Sequence, residues 1–201
     1  MYSRRCAVGL ALALLVPLVP AAAAAQQGPT ASEPVLITSC GQSPGPLKVK
    51  VFAQRLGIDH EYDPLATAED LTAAKESDTP FRSIIVVTGA SLKGMGAAGI
   101  SVEEELARVD ALLDEAEAQG LTIVGAHVEG MARRAQGASP GDNSDEQSID
   151  AVCPRSDMLM VRSDGNEDGR FTAIATDRDI PLLEFEKNLE LGEVLKDIYG
   201  K

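Results

Sequence analysis

The chain has 201 residues, of which 31 are acidic and 18 basic, for a formal charge of −13 at pH 7 with histidine neutral. Such a surface repels polyanions, which excludes nucleic acid and anionic membranes as partners. Tryptophan is absent and only 3% of residues are aromatic, which argues against a face that stacks bases or sugars.

Arg4 and Arg5 open the chain, residues 7–19 are apolar, and the alanines at 21–25 offer an A-x-A cleavage site before Gln26. Residues 1–25 therefore read as a signal peptide, 26–33 as a flexible tether and 34–201 as one domain large enough to bury a core. Ser3-Arg4-Arg5 resembles a twin-arginine start, but Cys6-Ala7-Val8 lacks the bulky apolar pair, which favours the general secretory route. Ile37-Thr38-Ser39-Cys40 imitates a lipoprotein box but lies behind Glu33 and Pro34, well past the apolar run. Removal of Arg4 and Arg5 leaves 16 basic residues against 31 acidic ones, a mature charge of −15. No later run approaches the roughly 18 apolar residues of a membrane span, so a periplasmic or secreted product without membrane insertion is expected.

A short strand over 35–38 leads into a turn-rich loop at 39–46, after which Leu47, Val51 and Leu56 mark one stripe of a helix. A weak strand at 58–62 and a short helix at 68–77 follow. Ile84 to Val87 are four consecutive branched apolar residues, the pattern of a strand buried on both faces. They run into a loop with glycines at 89, 94, 96 and 99, closed by Ser101 and Glu104 as the capping box of a long helix. In that helix Val102, Leu106, Val109, Leu113 and Ala116 share a face, Glu103, Glu104 and Glu105 fill the first turn, and Gly120 ends it. A strand at 121–126 precedes a long polar connection over 127–143. Ser144 with Gln147 starts the next helix, 158–161 is a strand, and Phe171, Ile174 and Ala175 lie on a helix. A last strand at 181–185 and a helix bearing Leu191, Val194, Leu195 and Ile198 complete the chain.

Strands alternating with helices at this spacing predict a three-layer α/β sandwich, a doubly wound, mainly parallel sheet of five to six strands. Ligands of such sheets sit beyond the carboxyl ends of the strands. The loops there carry Ser39, Gly41, Gln42, Ser43, Gly89, Ser91, Lys93, Gly94, Gly96, His127, Arg133 and Arg134. Glycines permit close backbone approach, and cations on the edge of an acidic protein favour a small anion held by amides and arginine. The plainer alternative is that the glycines shape turns and the arginines pair with carboxylates. A protein partner or a homodimer on the same edge is a further alternative.

Sharper chemistry is less well supported. Val87-Thr88-Gly89-Ala90-Ser91 with Gly94-x-Gly96 resembles the cofactor loop of short-chain dehydrogenases, but it has one residue too many, follows the third strand and lacks a Tyr-x-x-x-Lys pair. No cofactor is expected. Asp164-Gly165-Asn166-Glu167-Asp168-Gly169 matches half of a calcium loop, yet Ala175 stands where the bidentate glutamate belongs, and Asn166 or Asp168 as a helix cap explains the same residues. No metal site is assigned. Cys40 and His127 could form a thiolate–imidazole pair in a hydrolase or transferase, but no third, orienting residue is identifiable, so no catalytic residue is assigned. A Cys40–Cys153 disulfide is disfavoured because the two should lie at opposite ends of the sheet.

Four segments together resemble a family of exported bacterial α/β proteins known as a domain of unknown function. They are Thr38-Ser39-x-Gly41-Gln42-Ser43, Gly89-x-Ser91-x-Lys93-Gly94-x-Gly96-x-Ala98-Gly99, His127-x-x-Gly130-x-x-Arg133-Arg134 and Asn166-x-Asp168-Gly169. The resemblance implies export and one Rossmann-like domain over residues 34–199, and brings no activity with it.

Overall fold

The computed structural model describes residues 30–135 and 143–201, so the expected signal peptide, nearly all of the expected tether and part of the 127–143 connection lie outside the described residues. Six strands form one sheet in the order β2-β1-β3-β4-β5-β6. They are β1 (Val35–Cys40), β2 (His60–Tyr62), β3 (Ser83–Thr88), β4 (Thr122–His127), β5 (Met158–Arg162) and β6 (Leu182–Phe185), and every pairing is parallel. The chain moves from β1 outward to β2 and returns past β1 to β3, so the order reverses between β1 and β3. That reversal opens the usual binding crevice of a doubly wound sheet.

The helices are α1 (Gly45–Leu56), α2 (Ala68–Glu76), α3 (Leu92–Ala98), α4 (Val102–Gln119), α5 (Ser144–Val152), α6 (Arg170–Arg178) and α7 (Leu191–Tyr199). Val35, Ile37, Ile85 and Val87 pack with Val49 and Ala53 of α1 and with Leu195 and Ile198 of α7. The alternate residues Leu36, Ile84 and Val86 pack with Leu71 of α2 and Val109, Leu112 and Leu113 of α4, while Ile149 of α5 and Phe171 of α6 continue that layer. Ile84 to Val87 have no exposed surface, and burying each such side chain stabilises by about 1.5–3 kcal/mol.

Three elements differ from the sequence reading. Residues 92–98 form α3 rather than loop, because Ser91 caps the segment by accepting from the Gly94 amide at 3.0 Å and Gly99 ends it in the left-handed region at φ 72°. Asn143, one residue earlier than expected, caps α5 by accepting from the Glu146 amide at 3.1 Å. On α1 the buried face is Pro46, Val49 and Ala53, whereas Leu47 and Val51 are 49% and 38% exposed. Val49 and Ala53 face the sheet, with Phe52 and the expected Leu56 partly buried against the same cluster, and Leu47 and Val51 lie on the opposite side of the helix. The expected capping box of α4 is present, with Ser101 accepting from the Glu104 amide and Glu104 from the Ser101 amide.

Candidate functional site

The connections leaving the carboxyl ends of β1 and β3 zip together across the point of reversal. The Gly89 amide donates to the Cys40 carbonyl at 3.2 Å, the Ser91 amide to the Gly41 carbonyl at 2.6 Å, and Gln42 bridges Ala90 antiparallel. Gly41, at φ +108°, lies so near this partner that a Cβ would sit 2.6 Å from the Gly89 carbonyl oxygen. At Gly94 a Cβ would come 2.1 Å from the Gln42 carbonyl oxygen. The glycines thus give the two loops access to each other.

The amides of this rim are answered by the protein's own side chains. Glu105, buried in the first turn of α4, accepts from the Gly41 amide at 2.8 Å and from the Gln42 side-chain amide at 3.0 Å. Its charge is balanced by Arg108, whose Nε donates to it at 2.8 Å and whose other nitrogens donate to the Ser39 and Ala66 carbonyls. Ser39 Oγ accepts from the Gln42 amide at 2.9 Å, and Ser43 Oγ and Glu129 both accept from the Gly45 amide at 3.2 Å. From α5, Ser148 accepts from the Gly89 amide at 3.0 Å and Asp145 from the Ala90 amide at 2.6 Å. Burial raises the Asp145 pKa against the opposing pull of the Ala90 amide and Arg133. Arg133 lies over Gly89, donates to the Ala90 carbonyl at 2.7 Å and pairs with Glu129 at 3.5 Å. The void left between Cys40, Ala90, Met95 and Glu105 is about 10 Å³, at the lower bound for one water molecule.

A second polar cluster lies beyond β4 and β5. Arg134 has a side chain only 2% exposed. It donates to Glu146 at 2.8 Å, to Asp168 at 2.5 Å and to the Gly165 carbonyl, and it lies over the Phe171 ring. Glu146, wholly buried, also holds Arg170, which reaches Asp150. Burial works against the Asp168 charge, but the bonds from Arg134 outweigh it and hold the carboxyl below its usual range. His127 is fully buried. Its Nε2 faces the Gly130 carbonyl at 3.0 Å, which can only accept, so Nε2 carries the proton and Nδ1 accepts from the Thr88 hydroxyl at 2.9 Å. Burial, helped by Arg134, lowers the ring's pKa to about 4.

Ser39, Gly41, Gln42, Ser43, Gly89, Ser91, Gly94 and Arg133 therefore meet in one cluster, His127 and Arg134 belong to the second, and Lys93 and Gly96 are exposed on α3. Cys40 and His127 form no pair. The thiol lies buried beside Glu105, and burial pushes its pKa above the ordinary thiol range. Cys40 and Cys153 are both free and buried. In the calcium-like stretch Gly169 stands at the N-cap of α6, Asn166 accepts from the Phe171 and Thr172 amides of its first turn, and Asp164 and Asp168 are turned to Arg162 and Arg134. Among the described residues no group of three His, Cys, Asp or Glu side chains could hold a metal ion, and no helix is long and apolar enough to cross a membrane. Sequence reasoning missed Glu105 and Arg108. The available signal was the spacing of Glu105, Val109, Leu112 and Ala116, which puts the carboxylate on the buried face of α4.

No curated protein matches the chain. Among solved structures it is similar to the psychrotrophic esterase EstA from Pseudoalteromonas sp., inhibited by monoethylphosphonate, at 12% identity and a TM-score of 0.32, over 76% of this chain and 78% of the esterase. It is also similar to a GDSL-like lipase from Bacteroides thetaiotaomicron VPI-5482, at 11% identity and a TM-score of 0.33, over 75% of this chain and 66% of the lipase. Likenesses this distant carry no argument about activity. The model of the family described as Domain of unknown function (DUF6305) matches residues 32–199. With nearly all of the α/β unit inside that match, the chain belongs to this family.

Proposed function

We propose that the protein is an exported, noncatalytic binding domain for a small molecule that bears negative charge. The observation that carries the reading is the engagement in local structure of the serine, cysteine and histidine side chains predicted for the carboxyl edge. Ser39 and Ser43 accept loop amides, Ser91 caps α3, Cys40 is a buried, protonated thiol, and His127 has both ring nitrogens bonded at a pKa near 4. A nucleophile needs a base that takes its proton or a lowered pKa. Among the described residues neither these serines nor Cys40 donates a hydrogen bond to a base, and the one hydroxyl that does, Thr88 to His127, is wholly buried with it. The preference for an anion rests on Lys48 and Lys93, which stand on or near carboxyl-edge connections and form no ion pair with any described residue.

The test is a thermal-stability screen of the purified protein against acetate, citrate, phosphate and medium-chain carboxylates, run beside nitrophenyl ester hydrolysis. A binding anion at a hundred times its dissociation constant stabilises by about 2.7 kcal/mol. Ester turnover that is lost in Ser43→Ala or Cys40→Ala, or the absence of any anion-dependent shift, overturns the reading.

A second reading, a module for a protein partner, is favoured by one observation. Leu47, Leu65, Leu92 and Leu189 are all exposed, and all four follow the carboxyl end of a strand. Sedimentation of the purified protein alone tests its simplest form, a homodimer.

A further inference from the structure

We propose that the groove between α1 and α7 holds the apolar chain of a small amphiphilic carboxylate, with Lys48 receiving the carboxylate. The inference rests on the anion-binding reading above and gives it a place and a ligand class. Leu47, Val51 and Phe52 of α1 form one wall of the groove and Leu191 of α7 the other, with Asn188 at its end. Its volume of about 400 Å³ falls in the range of small-molecule sites, roughly 300–1,000 Å³. The two helices are held close at Gly192, where a Cβ would stand 3.1 Å from the Phe52 ring, so the floor of the groove is built and packed.

Charge selects the ligand. The protein has 31 acidic residues, yet no carboxylate lines this groove, and α1 carries Lys48, Lys50 and Arg55 with no acidic residue at all. Two other surface depressions provide the contrast. One, of about 550 Å³ at the amino edge of the sheet, is lined by Glu33, Asp59, Glu61 and Asp78 with Arg82; another, of about 830 Å³, holds Glu117 and Asp157 together with Arg155 and Arg178, so both place carboxylates beside their cations. Lys48 lines the α1–α7 groove and has no carboxylate partner among the described residues. Lys50 and Arg55 lie over the Tyr62 and Phe52 rings, so they too keep their charge unanswered by an acid. Apolar walls favour a hydrocarbon chain, and an unpaired ammonium on the wall favours an anionic head.

Decanoate below its micellar concentration is the probe, titrated calorimetrically into the purified protein with decanol and acetate as controls. Saturable decanoate binding is expected, with acetate inert and decanol weaker. Leu47→Asp, a change at a half-exposed position that leaves folding intact, should weaken decanoate by about tenfold or more, and Lys48→Gln should weaken decanoate but not decanol. Equal affinity in both variants and the original protein puts the ligand elsewhere and overturns the proposal. If decanoate fails while phosphate or citrate stabilises, the groove is refuted and the anion-binding reading stands; if no anion binds, both fall. A dimer that Leu47→Asp dissociates makes a second copy the occupant and also overturns the proposal.

Discussion

The carboxyl edge between β1 and β3 and the groove between α1 and α7 depart from an ordinary protein interior and surface in opposite senses. At the edge, charged and polar groups are buried and answered by one another. Glu105 takes the Gly41 amide and Arg108, while Ser148 and Asp145 take the amides of Gly89 and Ala90. In the groove, Leu47 and Val51 are exposed, and Lys48 has no carboxylate partner among the described residues. Buried polar groups are costly unless paired, so an edge this rich in charge is stable only when closed on itself. The proposed ligand site rests on that second departure, exposed apolar residues beside an unpaired cation. Glycines and arginines at a crevice, then, serve two ends, and which one depends on whether a carboxylate of the same chain reaches the amides first.

The largest effects should come from opening the edge. Glu105→Ala removes the buried partner of Arg108, whose side chain is only 12% exposed, strands the buried Gly41 amide, and is expected to cost about 3–5 kcal/mol by urea unfolding. Arg134→Ala should cost less, about 2–3 kcal/mol, because Arg170 still neutralises Glu146. Gly94→Ala drives a methyl group toward the Gln42 carbonyl and should cost about 1–3 kcal/mol while parting the two loops.

His127 adds a pH signature. The unfolded ring takes its proton near pH 6.5 and the folded ring only near 4, so the unfolded state binds more protons within that window. Stability should therefore fall as pH drops from 6.5 to 4, by about 3 kcal/mol, and His127→Gln should flatten that part of a midpoint-against-pH curve. Asp168, with its folded pKa lowered, is stabilising above its unfolded pKa and loses that contribution at more acidic pH, as pH falls through its folded value.

The smallest effect is expected at Arg155, which pairs with Asp110, Asp114 and Glu117 on the exposed side of α4. Arg155→Ala should change stability by no more than about 1 kcal/mol, less in high salt, in contrast to the buried pair on the same helix.

The architecture was legible because Ile84 to Val87 and the strands around them carry a period that leaves few alternatives, and because Ser101-x-x-Glu104 and Gly120 mark the ends of α4 without reference to anything distant. The convergence of the loops at 39–46 and 89–100 was also legible, from topology alone. What the loops converge upon was not. Whether Gly41 meets a ligand or Ala90 depends on a contact between segments 49 residues apart, and Glu105 in a run of three glutamates looks like a residue serving the helix dipole. The α1 face was misjudged for a related reason. Leu47, Val49, Val51, Phe52 and Ala53 put apolar groups around most of the helix, and only packing against β1 and β3 decides which of them turn inward.

Hydrogen exchange at the amides of Gly41, Gln42, Gly89, Ala90 and Ser91 tests the closed edge most directly, measured with and without added phosphate or acetate. Protection close to that of the β3 core, unchanged by either anion, is the expected result. Rapid exchange that slows only when an anion is added would contradict the account, since those amides would then be waiting for a ligand and not bonded within the fold.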